Sequence, residues 1–387
     1  MALIALVYKK APGSAIELAK LFFFIVIPVF LIGPIAGVYI DRWDKRRVMI
    51  ISDILRGFLV LLIPFFILFF KSFIPIYIAV FLIFVVTRFF FLSKMAIIPD
   101  IVPRNTLLIA NTLSDTTRII ATVIGAVVAG IMVEYLGAVN GFYINSVTYF
   151  ISALFISNMV VKKIVSYFKE DILITKEAIK KVIRKSVWSE IKEGIKFLAE
   201  HKEMKFVMKS FFFLMAGIGS ISCVLIVFIQ EVFGTVTEAL GVMFMFLFMG
   251  AFIGMMLYGR FGQRVRKDKV ILICMLLSGV FVALFAIIAK LTSSLWASGA
   301  TVFIAGLTIG PVIISLNTSV HEFVPQKTRG RIFSSLEIVI HLGFLAFMFM
   351  AAFFADHFPK IWILIFCGAV FSLWGVVGIF TRRKVLD

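Results

Sequence analysis

The chain has 387 residues, 62% of them apolar and only 16% charged, with a mean hydropathy of +1.09 and a formal net charge of +18. Soluble domains carry about a quarter charged residues, so this composition excludes an ordinary soluble fold. The basic excess does not signal nucleic acid either, because Lys and Arg sit in short connections beside apolar runs, where they set membrane orientation.

The sequence predicts an all-α integral membrane protein of about 11 spans, near 16–40, 48–70, 73–93, 107–132, 139–161, 206–231, 238–260, 269–290, 294–320, 332–356 and 361–380. Such runs match a hydrocarbon core of roughly 30 Å. Helices are expected because each backbone polar group must then be satisfied within its own segment. Ahead of the first span, Met1 to Tyr8 is apolar but too short for a cleavable leader. Cys223, Cys274 and Cys367 all fall inside spans, so neither a disulfide framework nor a metal site is expected. No cofactor or nucleotide-binding signature is present, and no nucleophile–base set suggests an enzyme.

One set of connections holds Arg42, Lys45, Arg46, Arg47, Lys94, Arg104, the basic runs at 162–205 and 260–269, Arg329, Arg331 and the tail. The opposite set holds only Lys9, Lys10, Lys71, Lys290 and Lys360. The bias puts the first set, and the C-terminus, in the cytoplasm. Residues 162–205 are the one sizeable polar stretch. They divide the chain into a membrane bundle at 1–161, a cytoplasmic linker and a second bundle at 206–387. Within the linker Ile179, Ile183, Val187, Ile191 and Ile195 recur every four residues, the pattern of an amphipathic helix on the membrane surface or against a partner.

Ionisable groups inside spans cost about 2.5–3.5 kcal/mol at the centre on insertion scales, and so tend to be functional. Arg88, Asp115, Arg118, Glu337 and His341 are the deepest candidates. Asp115 and Arg118 share a helix face, as a structural ion pair or as coupling groups. Glu337 and His341 also share one, as a proton relay or as a hydrated helix end. Asp53 and Arg56 lie nearer the interface, where snorkelling is the expectation. Gly125 and Gly130 in one half, and Gly250 and Gly254 in the other, are spaced to make smooth packing faces.

The run Gly33 to Arg47, with Gly37, Asp41, Arg42, Arg46 and Arg47, resembles the signature loop of the major facilitator superfamily. Asp44 departs from the usual Gly there. With Ser52-Asp53-Ile54-Leu55-Arg56 it resembles the subgroup of macrolide-efflux and enterobactin-exporter-like permeases. Ile98 to Arg104, Trp188 to Leu198, and Arg329-Gly330-Arg331 at the start of the eleventh helix agree with it. Gly125 to Gly130 resembles the antiporter element, with Ala126 where Pro is usual.

The resemblance implies a major facilitator fold of two pseudo-symmetric bundles, with Met1 to Tyr8 as the tail of a first helix. It implies proton-coupled antiport, an efflux permease for a small hydrophobic or amphipathic solute, monomeric and multi-pass in the cell membrane. It also implies that the loop around Asp41 is a conformational latch, docking at the N-terminus of the eleventh helix. A lipid or metabolite permease and an inactive remnant are the alternatives.

Overall fold

The computed structural model describes residues 1–40, 43–70, 72–103, 106–159, 202–262, 265–323 and 329–383. Within its helices the side chains of 29–30, 33–40, 107–108, 111–112, 115, 202–203, 321, 323, 329–338 and 382–383 lie outside the description. The linker stripe from Ile179 to Ile195, together with Asp41 and Arg42, lies outside the described residues altogether.

Every described element is a helix. They run α1 Ala2–Lys10, α2 Ala15–Ile40, α3 Lys45–Phe69, α4 Ile74–Ile101, α5 Leu107–Ser157, α6 Lys202–Phe233, α7 Glu238–Phe261, α8 Lys267–Thr292, α9 Leu295–Phe323, α10 Arg329–His357 and α11 Lys360–Arg383. Among the described residues nine of them are long and apolar enough to cross a membrane. The span predicted at 73–93 extends further than expected, through Pro99 to Ile101. The two spans predicted at 107–132 and 139–161 form one run, α5, broken at Gly137 by a φ of 83°. Glycine takes that left-handed backbone without the strain a side chain would bring, so the helix kinks there without a loop.

Local chemistry sets the ends. The Asp44 carboxylate accepts the Arg47 amide at 3.0 Å and starts α3. The buried positions of α3 are 49, 52, 53, 56, 57, 60, 63 and 64, a stripe at helical spacing. The buried positions of α8 include 271, 275, 278, 279, 285 and 286, and each stands 222 residues after one of these.

That offset runs through the whole chain. Val102-Pro103 and Thr106 recur as Val324-Pro325 and Thr328, again 222 residues on. Lys45, at the start of α3, donates to Asp100 at the end of α4, at 2.6 Å. Lys267, at the start of α8, donates to Glu322 at the end of α9, and both pairs are separated by 55 residues. The protein is thus built of two parallel repeats, α1–α5 and α6–α11. The main buried cluster draws on both, from Leu6, Leu18 and Ile76 to Val224, Leu240 and Met348.

Candidate functional site

The two repeats meet along two main seams, α2 with α10 and α5 with α7. Gly130 and Gly241 make the second seam close. A Cβ at Gly130 would stand 2.7 Å from the Thr237 carbonyl, and one at Gly241 would stand 2.6 Å from the Ala126 carbonyl. Backbones that approach so closely are joined by small residues, which let helices pack and slide in an apolar solvent.

Each seam is pinned at one end by a carboxylate. Glu134, one turn before the Gly137 break, crosses to the start of α7. Its Oε1 accepts the Val236 amide at 3.1 Å, and its Oε2 accepts the Thr237 and Glu238 amides at 2.6 and 3.2 Å. The Thr237 hydroxyl donates to the Gly130 carbonyl at 2.8 Å. The Thr237 and Glu238 amides are among those that a helix N-terminus leaves unpaired, and its dipole favours an anion there. Asp356, near the end of α10, crosses to the start of α2. It accepts the Ala15 amide at 2.7 Å and the Ser14 hydroxyl at 3.0 Å. Asp356 stands 222 residues after Glu134, and Thr237 stands 222 after Ala15. Both contacts lie on the face opposite the basic connections, which also holds the Lys360–Glu231 pair at 2.7 Å. Sequence reading missed both acids. The detectable signal was a carboxylate recurring at the repeat offset near a helix end.

A second polar cluster lies inside the first repeat. Asp53 and Arg56 on α3 are paired and buried, at 1% and 5% exposure. The other Asp53 oxygen accepts the Ser152 hydroxyl at 2.7 Å. The Arg56 guanidinium lies between the rings of Phe90 on α4, at 4.1 Å, and Tyr149 on α5, at 4.6 Å. This corrects the snorkelling expectation. Long-range packing of α4 and α5 over α3 closes the pair away from the interface. Tyr149 also lines a hollow of about 550 Å³, together with Thr87, Asn145 and Thr148. A larger hollow of about 720 Å³ lies among α6, α10 and α11, lined by Phe212, Phe347, Phe354, Trp362 and Phe366.

The remaining sequence candidates lie on several helices. Arg46 donates to the carbonyls of Ile156 and Ser157, tying the start of α3 to the end of α5, and the exposed Arg47 side chain stays beside Asp44. Arg88 is half-buried on α4, Arg118 is exposed on α5 and His341 is half-buried on α10. The side chains of Asp115 and Glu337 lie outside the description, as do Arg329, Gly330 and Arg331 beyond their helical backbone, and Gly33 and Gly37 beyond theirs. A Cβ on Gly250 or Gly254 would meet a carbonyl of α9 at 2.1 or 2.2 Å. Gly125 differs from the packing expectation. A Cβ there would meet nothing within 4 Å, because Gly125 borders the smaller hollow.

Two parallel repeats with helix pairs crossing between them give the fold of the major facilitator type. Solved structures with this fold include the nucleoside transporter NupG, at TM-score 0.68 and 13% identity, covering 100% of this chain and 94% of that one. A bacterial homologue of the iron transporter ferroportin, in an inward-facing state, also scores 0.68 at 13% identity, covering 98% and 93%. The POT family transporter PepTSo scores 0.66 at 11% identity, covering 97% and 90%.

Within that class the chain belongs to the transmembrane secretion effector family, whose model matches residues 14–387. A relative, the uncharacterized MFS-type transporter YkuC of Bacillus subtilis (strain 168), is 23% identical over 333 residues, covering 84% of this chain and 75% of that protein.

Proposed function

We propose that this chain is a proton-coupled exporter of hydrophobic or amphipathic solutes that works by rocking its two repeats about the α2·α10 and α5·α7 seams. The observation that carries the reading is the Gly130–Gly241 crossing, a smooth contact between repeats that are otherwise braced internally. The resemblance to efflux permeases supports solutes of low polarity. The division at 162–205 makes the two bundles separate rockers. By the positive-inside rule the basic face is cytoplasmic and the protein sits in the cell membrane.

In this reading the loop holding Gly33, Gly37, Asp41, Arg42, Arg46 and Arg47 closes the cytoplasmic face, against the helix start at Arg329, Gly330 and Arg331. Coupling falls to charges within the spans: Arg88, Asp115, Arg118, Glu337 and His341, now joined by Asp53 and Arg56. The test uses everted vesicles with an acidified lumen and a lipophilic dye. Dye-dependent alkalinisation of the lumen is expected, because protons leave as solute enters. Dye uptake without any pH change would overturn proton coupling, and no uptake across a panel of lipophilic dyes would overturn export.

A further inference from the structure

The Glu134 and Asp356 contacts are one contact made twice. In each, a carboxylate at the end of the fifth helix of one repeat accepts hydrogen bonds at the start of the second helix of the other. Neither contact braces a repeat internally, unlike Lys45–Asp100 and Lys267–Glu322. Each bridges repeats that must separate if the face opposite the basic connections is to open.

We propose that Glu134 and Asp356 are paired positioning residues, two symmetry-related latches that hold that face closed and set how often it opens. The inference rests on the rocking reading above. When a latch opens, its amides must exchange a charged acceptor for water. Glu134 receives the Val236, Thr237 and Glu238 amides where α7 begins, with the Thr237 hydroxyl 3.3 Å away, while Asp356 takes one amide and one hydroxyl. Glu134 is therefore the stronger of the two. Glu17 is already engaged by Lys20 at 2.5 Å and by the Tyr77 hydroxyl at 2.9 Å, and Lys360 is held by Glu231. Ser14 and Thr235 each cap the start of their own helix, receiving the Glu17 and Ala239 amides at 3.4 and 3.2 Å.

The experiment places a cysteine at Val127, whose Cα lies against Gly241 in the α5·α7 seam. The full-length protein in proteoliposomes is labelled, without added solute, by a membrane-impermeant maleimide. Native Cys223, fully buried in α6, reports any general loosening. Relative to V127C alone, E134A and D356A should each raise labelling at 127 by about tenfold, with E134A the larger, and the double variant by about a hundredfold. E134Q and D356N keep the side-chain volume and should rise less, with Cys223 unlabelled throughout. Labelling at 127 that is measurable in the parent and unchanged in all variants would sink the latches while leaving rocking intact. A rise matched at Cys223 would sink them too, as general loosening. No labelling at 127 in any variant, with or without a transported dye, would instead remove the rocking reading and the latches with it.

Discussion

The two repeats share a scaffold but are glued differently. Where the first repeat gathers Phe90, Tyr149 and Ser152 around the buried Asp53 and Arg56, the second has Met275, Ser278, Val312, Phe371 and Trp374 at the same 222-residue offset. The charged pair and its hydroxyl are replaced by an apolar cluster in which Trp374 stacks on Phe213 at 4.0 Å. Backbone spacing changes in step. Gly57 on α3 faces the Phe150 ring, whereas Gly279 on α8 faces the backbone of Gly368 on α11. In hydrocarbon, helices gain nothing from hiding apolar surface, so they adhere through polar pairs or through small residues that admit close backbones. The first repeat relies on the charged pair, and the second on close backbones, helped by uncharged links such as Ser278 with Thr308 at 2.7 Å.

The largest expected effect comes from breaking the polar device. Arg56→Ala leaves the Asp53 carboxylate buried with only Ser152, and should cost about 3–5 kcal/mol. The midpoint of thermal unfolding in detergent reads this directly. Replacing both partners, D53M with R56M, should recover most of the loss, because a matched apolar pair removes the stranded charge. An R56A protein that melts with the parent would show that the pair glues nothing.

Next comes the close-packing device. Gly254→Ala puts a methyl 2.2 Å from the Leu307 carbonyl, which cannot swing away, and should cost about 1–3 kcal/mol. Gly57→Ala meets the edge of the Phe150 ring at 2.9 Å, which can turn, and should cost less than about 1 kcal/mol. Equal losses would erase the contrast between the repeats.

The smallest effect concerns the two equivalent braces. Lys45 and Asp100 keep 22% and 18% of their side-chain surface exposed, against 34% and 53% for Lys267 and Glu322. Double-mutant cycles should give about 1 kcal/mol for the first pair and less than about 0.5 for the second, with the second fading faster in salt.

The spans were legible in sequence because hydrocarbon imposes one length and one composition on every crossing. The break at Gly137 was legible only as a polar gap, since nothing local says whether a left-handed glycine or a loop makes the turn. Asp53 and Arg56 looked interfacial because their depth was judged along one helix. What buries them is Phe90, Tyr149 and Ser152, brought over from helices far along the chain. Glu134 and Asp356 were missed for a related reason. A carboxylate near a span end reads as a solvated group until the amides it receives, about 100 and 340 residues away, are placed beside it.

The paired seam has the logic of an isologous dimer contact. Each repeat offers an acid and a helix start that donates to the other's acid, as identical subunits do across a two-fold axis. Any copy of one repeat therefore carries both halves of its own recognition surface. The two repeats made as separate polypeptides should therefore find one another across the same two seams.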